Sequence, residues 1–229
     1  MADGADTMGM AVYDQLRQRL FAGDLRAGQF VSLRKLAALL GATVSPLREA
    51  IRKLEVEGLI KVHAQRGIQI AEAGPKAIND AYDYRLLLEV NAVRVLAATA
   101  TPALLAEFRR EEEASLAMLA AAPDDTKVRH AVLDRDYAFH KRLIDAQGNA
   151  IISKHYSMNA ARLRLFRINI GEPLERLGTA AEEHLAILEA CARRDADEAA
   201  DLLARHIEIS REHTLGLRPM RRTLPPAPS

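Results

Sequence analysis

Residues 32–71 have the sequence SLRKLAALLGATVSPLREAIRKLEVEGLIKVHAQRGIQIA, and their pattern predicts the fold of the N-terminal part of the chain. Ser32 is a typical N-cap, and the apolar side chains after it recur at helical spacing, which predicts a short helix over 33–40. Gly41 ends this helix, because glycine readily takes the left-handed conformation common at helix ends.

A second helix is predicted to start at residue 43 or 45 and to extend to Gly58, with Pro46 tolerated in its first turn. The apolar runs 59–63 and 68–71 then predict two short strands joined by a hairpin.

Upstream of this stretch, residues 10–22 place apolar side chains on one helical face, and residues 25–30 predict a turn. A helix, a helix-turn-helix and a hairpin in this order predict a winged helix-turn-helix domain with a small β-wing over 10–72. Residues 1–9 are expected to form a disordered tail.

The rest of the chain is predicted to be helical beyond a linker, 73–77, that contains Gly74 and Pro75. Successive helices without strands predict an all-α antiparallel bundle over 78–217, and the chain as a whole is mainly α. The segment 218–229 has four prolines in twelve residues, so we expect a disordered tail there. The predicted helices lie near 76–99, 102–121, 125–146, 149–170, 173–193 and 195–217.

Composition and charge narrow the class of protein. The single cysteine, Cys191, excludes an intrachain disulfide and a cysteine-based zinc finger. No apolar stretch approaches the roughly 18 residues of a membrane span, and the acidic N-terminus does not resemble a signal peptide, so we expect a cytoplasmic protein with no membrane partner. Residues 30–67 carry seven Lys/Arg against three Asp/Glu, whereas residues 75–217 carry 19 against 23. A basic front and an acidic back favour a nucleic-acid-binding module joined to a second domain.

The predicted helix-turn-helix supplies a candidate surface for double-stranded DNA. The second helix of such a motif enters the major groove with its N-terminal side chains, while the first helix and the wing contact the backbone and the minor groove. Eight residues occupy these positions: Arg34, Lys35, Thr43, Ser45, Arg48, Arg52, Arg66 and Gly67.

Four side chains in the helical half form a candidate metal site. Asp136 and His140 are four residues apart, so they project from one face of a helix. Apolar neighbours place His184 and His206 near the inner faces of two later helices. Nitrogen and oxygen ligands of this kind suit one divalent transition metal per chain, with zinc as the first candidate and nickel, manganese or iron as alternatives.

Residues 16–41, 45–60 and 65–67 closely resemble the winged-helix domain of the GntR transcription-factor superfamily, most specifically in PLREAI and in LEVEGLI. By this resemblance Arg34, Arg48 and Gly67 match positions that touch DNA. The family usually has a basic residue directly after the Ser or Thr that opens the recognition helix, but this chain has Val44 there. The resemblance therefore leaves open which bases are read.

The helical half is similar to the FCD effector-binding domain of the FadR-like GntR branch. DRDYAFHKRLIDAQGN carries its D..FH..L....GN signature, and EEHLAILEACARRDADEAADLLARHI resembles its closing segment. In metal-containing members, the Asp and three His at these positions are the ligands. The resemblance also implies a homodimer held by the helical domain.

Three imidazoles and one carboxylate leave one or two coordination positions for a small carboxylate or sugar-acid effector. Arg85 resembles a family position that often faces the cavity, and Arg162 is a second candidate to bind the acid. Glu89, four residues after Arg85, is placed to pair with it.

The leading hypothesis is a dimeric transcriptional regulator, by family resemblance a repressor, that binds a pseudo-palindromic operator and is released by the acid. One alternative is a helical metalloenzyme that uses a metal-bound water, although no further acid/base pair or catalytic motif is visible. Another alternative keeps the regulator but makes the metal structural, or makes the metal itself the signal.

Overall fold

The structure is a computed structural model that describes residues 3–72, 74–122, 125–171 and 173–217. Within these ranges the chain forms nine helices and a small sheet, so the predicted fold class is confirmed. The predicted tail 218–229 lies outside the described residues. The helices are α1 Asp3–Phe21, α2 Leu33–Leu40, α3 Val44–Val56, α4 Pro75–Thr99, α5 Pro102–Ala121, α6 Thr126–Asp145, α7 Ala150–Ile170, α8 Leu174–Ala192 and α9 Ala196–Thr214, and the strands are β1 Phe30–Val31, β2 Ile60–His63 and β3 Gly67–Ile70.

The winged domain consists of α1–α3 and a three-stranded antiparallel sheet in the order β1-β3-β2. Leu16, Leu36 and Leu54 are fully buried in its core, each from a different helix. Ser32 caps α2 by accepting a hydrogen bond from the Lys35 amide, as its position predicts.

Two predictions for this domain were wrong. Residues 3–9 were expected in a disordered tail, but α1 already begins at Asp3. The segment 25–30 was expected to be a turn, but Phe30 and Val31 form β1 and pair with Gln69 and Ile68. A two-residue strand is too short to show an alternating pattern in the sequence. It forms because Phe30 and Val31 pair with the free edge of β3 in the β2–β3 hairpin.

The helical domain contains α4–α9. Tyr82, Phe108, Leu143 and Leu203 lie in one continuous core, and each comes from a different helix. The helix ends differ from the predicted ones by a few residues, most at α9, which ends at Thr214. No helix in the described ranges is both long and apolar enough to cross a membrane.

The two domains are packed together through α7. Ala161 and Leu165 of this helix are buried in the core of the winged domain. The Ala27 amide also donates a hydrogen bond to Asn169 Oδ1, at 2.8 Å. The bundle therefore holds the winged domain with apolar and polar contacts.

Candidate DNA-binding surface and metal centre

Helix α3 is placed as a recognition helix. Leu47, Ala50 and Leu54 are buried and fix one of its faces in the domain core. Arg48 and Arg52 project from its exposed surface, where Arg52 forms an ion pair with Glu49 at 3.1 Å.

The start of α3 is open to solvent. Thr43 is the N-cap, and no cap hydrogen bond engages its side chain. Thr43, Val44 and Ser45 are all exposed, and so are Arg34 and Lys35 at the start of α2. These groups are therefore accessible to the phosphates and base edges of DNA.

The β2–β3 hairpin forms the wing, and its tip requires glycine. Gly67 has φ +92°, and a Cβ atom built there would lie 2.9 Å from the Val31 carbonyl oxygen. Arg66 is exposed beside it, and its amide donates to the His63 carbonyl oxygen at 3.3 Å. All the predicted DNA-contacting side chains are exposed, while Gly67 is half-buried between β1 and the tip.

The four predicted metal ligands converge in the helical domain. Asp136 and His140 lie one turn apart on α6, His184 lies on α8, and His206 lies on α9. One ligand atom from each of them lies within 4.8 Å of the others. The histidines are at most 1% exposed and Asp136 is 5% exposed, so the cluster is buried.

The ring nitrogens of the histidines point inward with short separations. His206 Nε2 lies 3.2 Å from His140 Nε2 and 3.3 Å from His184 Nε2. The Phe139 ring stacks on His184, with centroids 3.8 Å apart and planes 6° from parallel. This stacking fixes the orientation of the His184 ring.

Each histidine has a carboxylate beside its other nitrogen. The Nδ1 atoms lie 2.7 to 3.1 Å from carboxylate oxygens, in the pairs His140–Glu89, His184–Glu112 and His206–Glu183. A carboxylate beside Nδ1 keeps the proton on that nitrogen and leaves the Nε2 lone pair available to an ion. The sequence motifs did not identify these carboxylates as partners of the histidines. Of the three carboxylates, Glu89 alone was assigned a partner from the sequence, and that partner was Arg85, four residues before it.

The donor set fits a transition metal. With the protons on Nδ1, three Nε2 lone pairs face one another, which is favourable only around a cation. Metal–nitrogen bonds of about 2.0–2.1 Å place two nitrogens on one ion about 2.9–3.4 Å apart, which agrees with the two separations observed. Asp136 Oδ1 is buried beside them and has no hydrogen-bond partner among the described residues.

Burial and charge shift the pKa values of His140, His206 and Asp136 in the direction that favours ion binding. Burial, with help from Arg85, lowers the pKa of His140 to about 4, although Glu89 opposes this. Burial and the other two histidines lower the pKa of His206 well below its usual value. Burial would raise the pKa of Asp136, but Arg167 and the neighbouring histidines hold it well below its usual range.

Three buried arginines surround the cluster. Arg85 Nε donates to Glu89 Oε1 at 2.6 Å, so the predicted effector-binding Arg85 lies next to the site but is paired. Arg167 pairs with Asp136. Arg176, which sequence analysis did not identify, donates from Nη2 to Glu183 and Ser210.

The structure places the second predicted effector-binding residue, Arg162, elsewhere. It lines a cavity of about 400 Å³ between the domains, together with Gly58 and Tyr84. Arg162 and Arg167 are five residues apart on α7, which rotates their side chains by about 140° around the helix. Arg167 faces the cluster and Arg162 faces the domain junction, so the structure does not bring Arg162 together with Arg85.

Comparisons with known proteins agree with this architecture. Residues 9–70 match the gntR family of bacterial regulatory proteins, and residues 80–209 match the FCD domain. The Nta operon transcriptional regulator of Aminobacter aminovorans is 31% identical over 186 residues, which cover 80% of this chain and 83% of that protein. The HTH-type transcriptional regulator YdhC of Bacillus subtilis is 25% identical over 201 residues, 88% of each chain.

A solved structure shows the same fold. A transcriptional regulator GntR from Rhodococcus sp. RHA1 superposes with a TM-score of 0.77 at 21% identity, and the match covers 93% of this chain and all of that one. The two family matches and the Nta operon regulator define the class of protein as a transcriptional regulator. This chain belongs to the GntR family, in the branch with an FCD domain, and it is a DNA-binding regulator and not an enzyme.

Proposed function

We propose that this regulator is a repressor that leaves its operator when a small carboxylate or sugar acid binds at a divalent metal in the helical domain. Zinc is the first candidate for the metal, with nickel, manganese and iron as alternatives. The observation that carries the proposal is the convergence of four buried ligand atoms, with a carboxylate beside the Nδ1 of every histidine. A divalent ion held there would act as a Lewis acid and could bind a carboxylate oxygen of the effector.

The charge balance around the cluster favours an anionic effector. In the part of the chain that the structure describes, the buried arginines and carboxylates are equal in number, so their charges cancel when the histidines are neutral. A divalent ion adds two positive charges, and the half-buried Glu183 beside His206 offsets part of them. The remaining positive charge, in a site of low dielectric, favours binding of an anion. The buried charged groups are Arg85, Arg167, Arg176, Glu89, Glu112 and Asp136.

Arg176 is the side chain best placed to receive the acid. Its Nε and Nη1 are buried and have no hydrogen-bond partner among the described residues. An anionic oxygen could accept a charge-assisted hydrogen bond from either of these two groups. We therefore propose Arg85 and Arg176, rather than Arg162, as the arginines of the effector site.

One observation supports a second candidate. All four ligands are buried, so an ion held between α6, α8 and α9 would also clamp three helices. In that case the metal is structural, or the metal itself is the signal. The two candidates differ in whether an acid needs the metal in order to act.

The winged domain implies how the operator is bound. We propose a homodimer that places two α3 helices in successive major grooves, about 34–36 Å apart, on a pseudo-palindromic DNA. Arg48 and Arg52 on α3, Arg34 and Lys35 on α2, and Arg66 on the wing would contact this DNA. Occupancy of the effector site then changes DNA affinity by the difference in its affinity for the two domain arrangements.

The test is fluorescence anisotropy with a DNA duplex selected for binding from a random library. Zinc-loaded and metal-stripped protein are each titrated with acetate, lactate or gluconate, and with glucose as an uncharged control. We expect at least one acid to weaken DNA binding by about 5-fold or more, only in the zinc-loaded protein. His155→Ala, which removes an exposed histidine outside the cluster, should behave like the wild-type protein.

The other possible results of these titrations distinguish the two candidate roles of the metal and test the effector class. Release by an acid in the metal-stripped protein as well indicates a structural metal. Release or tightening by zinc alone makes the metal the signal. No response to any acid in the zinc-loaded protein contradicts the proposed effector class.

A further inference from the structure

Helix α7 packs against both domains and uses a different face for each. Tyr156, Leu163 and Phe166 lie in the core of the helical domain, whereas Ala161 and Leu165 lie in the core of the winged domain. Because both faces are buried in close-packed cores, α7 cannot move relative to one domain without disturbing its contacts with the other.

Arg167 joins α7 to the candidate ion site. It is the largest of the fully buried side chains described, and its Nη1 donates a hydrogen bond to Asp136 Oδ2. The second oxygen of that carboxylate, Oδ1, lies 4.0 Å from His184 Nε2. Asp136 therefore has one oxygen bonded to α7 and one that faces the histidines.

Polar contacts near the C-terminal end of α7 hold the winged domain. Asn169 Oδ1 accepts the hydrogen bond from the Ala27 amide, in the segment that connects α1 to β1. The Arg164 guanidinium lies over the Phe21 ring, 4.2 Å from its centroid. Since β1 pairs with wing strand β3, a continuous series of contacts runs from Asp136 to the wing.

We propose that Arg167 couples occupancy of the ion site to the position of the winged domain. This rests on the proposed function, because it requires an ion that Asp136 helps to bind. An ion that takes Asp136 as a ligand competes with or reorients the hydrogen bond between this carboxylate and Arg167 of α7. Ion binding therefore changes the relative stability of different positions of α7. Asn169 and Arg164 then pass this change to α1 and β1.

Hydrogen–deuterium exchange of the full chain, with zinc alone as the probe, tests this coupling. The Ala27 amide is the reporter, because its hydrogen bond to Asn169 spans the domain junction. We expect saturating zinc to slow its exchange by about 5-fold or more. In Arg167→Lys, we expect zinc affinity to fall by about 10- to 100-fold and exchange at Ala27 to lose its response even at saturating zinc.

Arg85→Lys is the matched control. Arg85 is also a buried arginine whose carboxylate partner, Glu89, lies beside a histidine of the cluster, but it is on α4. This variant should also bind zinc more weakly, yet retain the zinc response at Ala27. A merely structural role of Arg167 would give the two variants the same exchange pattern.

The outcomes separate this coupling from the ion site itself. If the wild-type protein binds zinc but exchange at Ala27 does not change, or if Arg167→Lys responds as the wild type does, the coupling is overturned and the ion site stands. If the wild-type protein binds no zinc, the ion site is overturned, and the coupling with it.

A second variant keeps the test decisive if Arg167→Lys does not fold. Arg164→Met interrupts the same route at a partly exposed side chain outside the cluster. It should leave zinc affinity unchanged and reduce the zinc response at Ala27 by about twofold or more. An undiminished response contradicts the route through α7.

Discussion

At the scale of single residues, the carboxylates beside the histidines determine how well the cluster can hold an ion. Glu112 Oε2 lies 3.1 Å from His184 Nδ1, and both side chains are buried. Glu112→Gln removes the negative charge that keeps the proton on Nδ1. We expect zinc affinity to fall by about 10- to 100-fold, as is usual when such a partner is lost.

The neighbouring residue on α5 provides the control for this prediction. Glu111 is exposed and pairs with Arg135 away from the cluster. Competition with a chromophoric zinc chelator should show wild-type affinity for Glu111→Gln. Equal affinities for the two variants would contradict the role given to Glu112.

Gly67 allows the tip of the wing to pack closely against β1. Gly67→Ala would combine a positive φ with a Cβ atom 2.9 Å from a backbone oxygen. Gly41→Ala has a positive φ but no neighbour within 4 Å, so it is expected to cost only the conformational strain of about 1–2 kcal/mol. Gly67→Ala should cost a further ~1–3 kcal/mol in free energy of unfolding and weaken DNA binding. Urea denaturation of the two variants compares these costs, and equal costs would show that the close approach to Val31 is unimportant.

Cys191 provides a test based on pH. Burial raises the pKa of its thiol to about 11, although Arg194 lowers it, so the thiol stays protonated at neutral pH. Because the thiolate is the reactive form, modification of the native protein by a thiol reagent should be slow at pH 8 and faster toward pH 11. In denaturant the thiol should react readily at pH 8. Rapid modification of the native protein at pH 7 would contradict the burial of this residue.

At the scale of elements, the first turn of α3 differs from what is usual in the family. Val44 is 48% exposed directly after the N-cap, at a position where the resemblance to the GntR family implies a basic residue. Val44→Arg should raise DNA affinity and steepen the slope of log affinity against log salt by about 0.9, because one more phosphate is neutralised. Fluorescence anisotropy at several salt concentrations measures this slope.

The other end of the same helix supplies the control. Val56 is 71% exposed and lies at the domain junction rather than at the start of α3. Val56→Arg adds the same charge and should leave the salt slope unchanged. If both variants steepen the slope equally, the added charge acts through the general field of the protein and not through contacts at the start of α3.

Sequence patterns predicted most of the helices and strands, because these elements have local signals. The i,i+4 spacing of Asp136 and His140 and the apolar neighbours of His184 and His206 suggested a shared site, and the resemblance to the FCD domain strengthened that prediction. The four side chains do converge in the structure. Glu112 was missed because its partner His184 is 72 residues away, and helix packing alone brings the two together. Arg176 was missed because two of its partners, His206 and Ser210, are 30 and 34 residues away. The structure does not bring Arg162, the second predicted effector-binding residue, to the cluster, because α7 has two buried faces and no local pattern tells which domain each face contacts.

At the scale of the whole molecule, the arrangement of the two domains is linked to the buried charged cluster through α7. The winged domain is held on α7, and α7 is bonded to the side chain that the ion would use. Ion binding should therefore stabilise the whole fold. At a free zinc concentration 100 times Kd, the expected gain is about 2.7 kcal/mol in free energy of unfolding.

The most direct test of the central claim is elemental analysis of the protein purified after growth in metal-replete medium, together with a His184→Ala/His206→Ala variant. Four ligands around one position predict about one transition-metal ion per chain in the wild-type protein and none in the variant. The identity of the ion would then decide among zinc, nickel, manganese and iron. The absence of a transition metal from the wild-type protein, or equal metal content in the two proteins, would contradict a metal centre formed by Asp136, His140, His184 and His206.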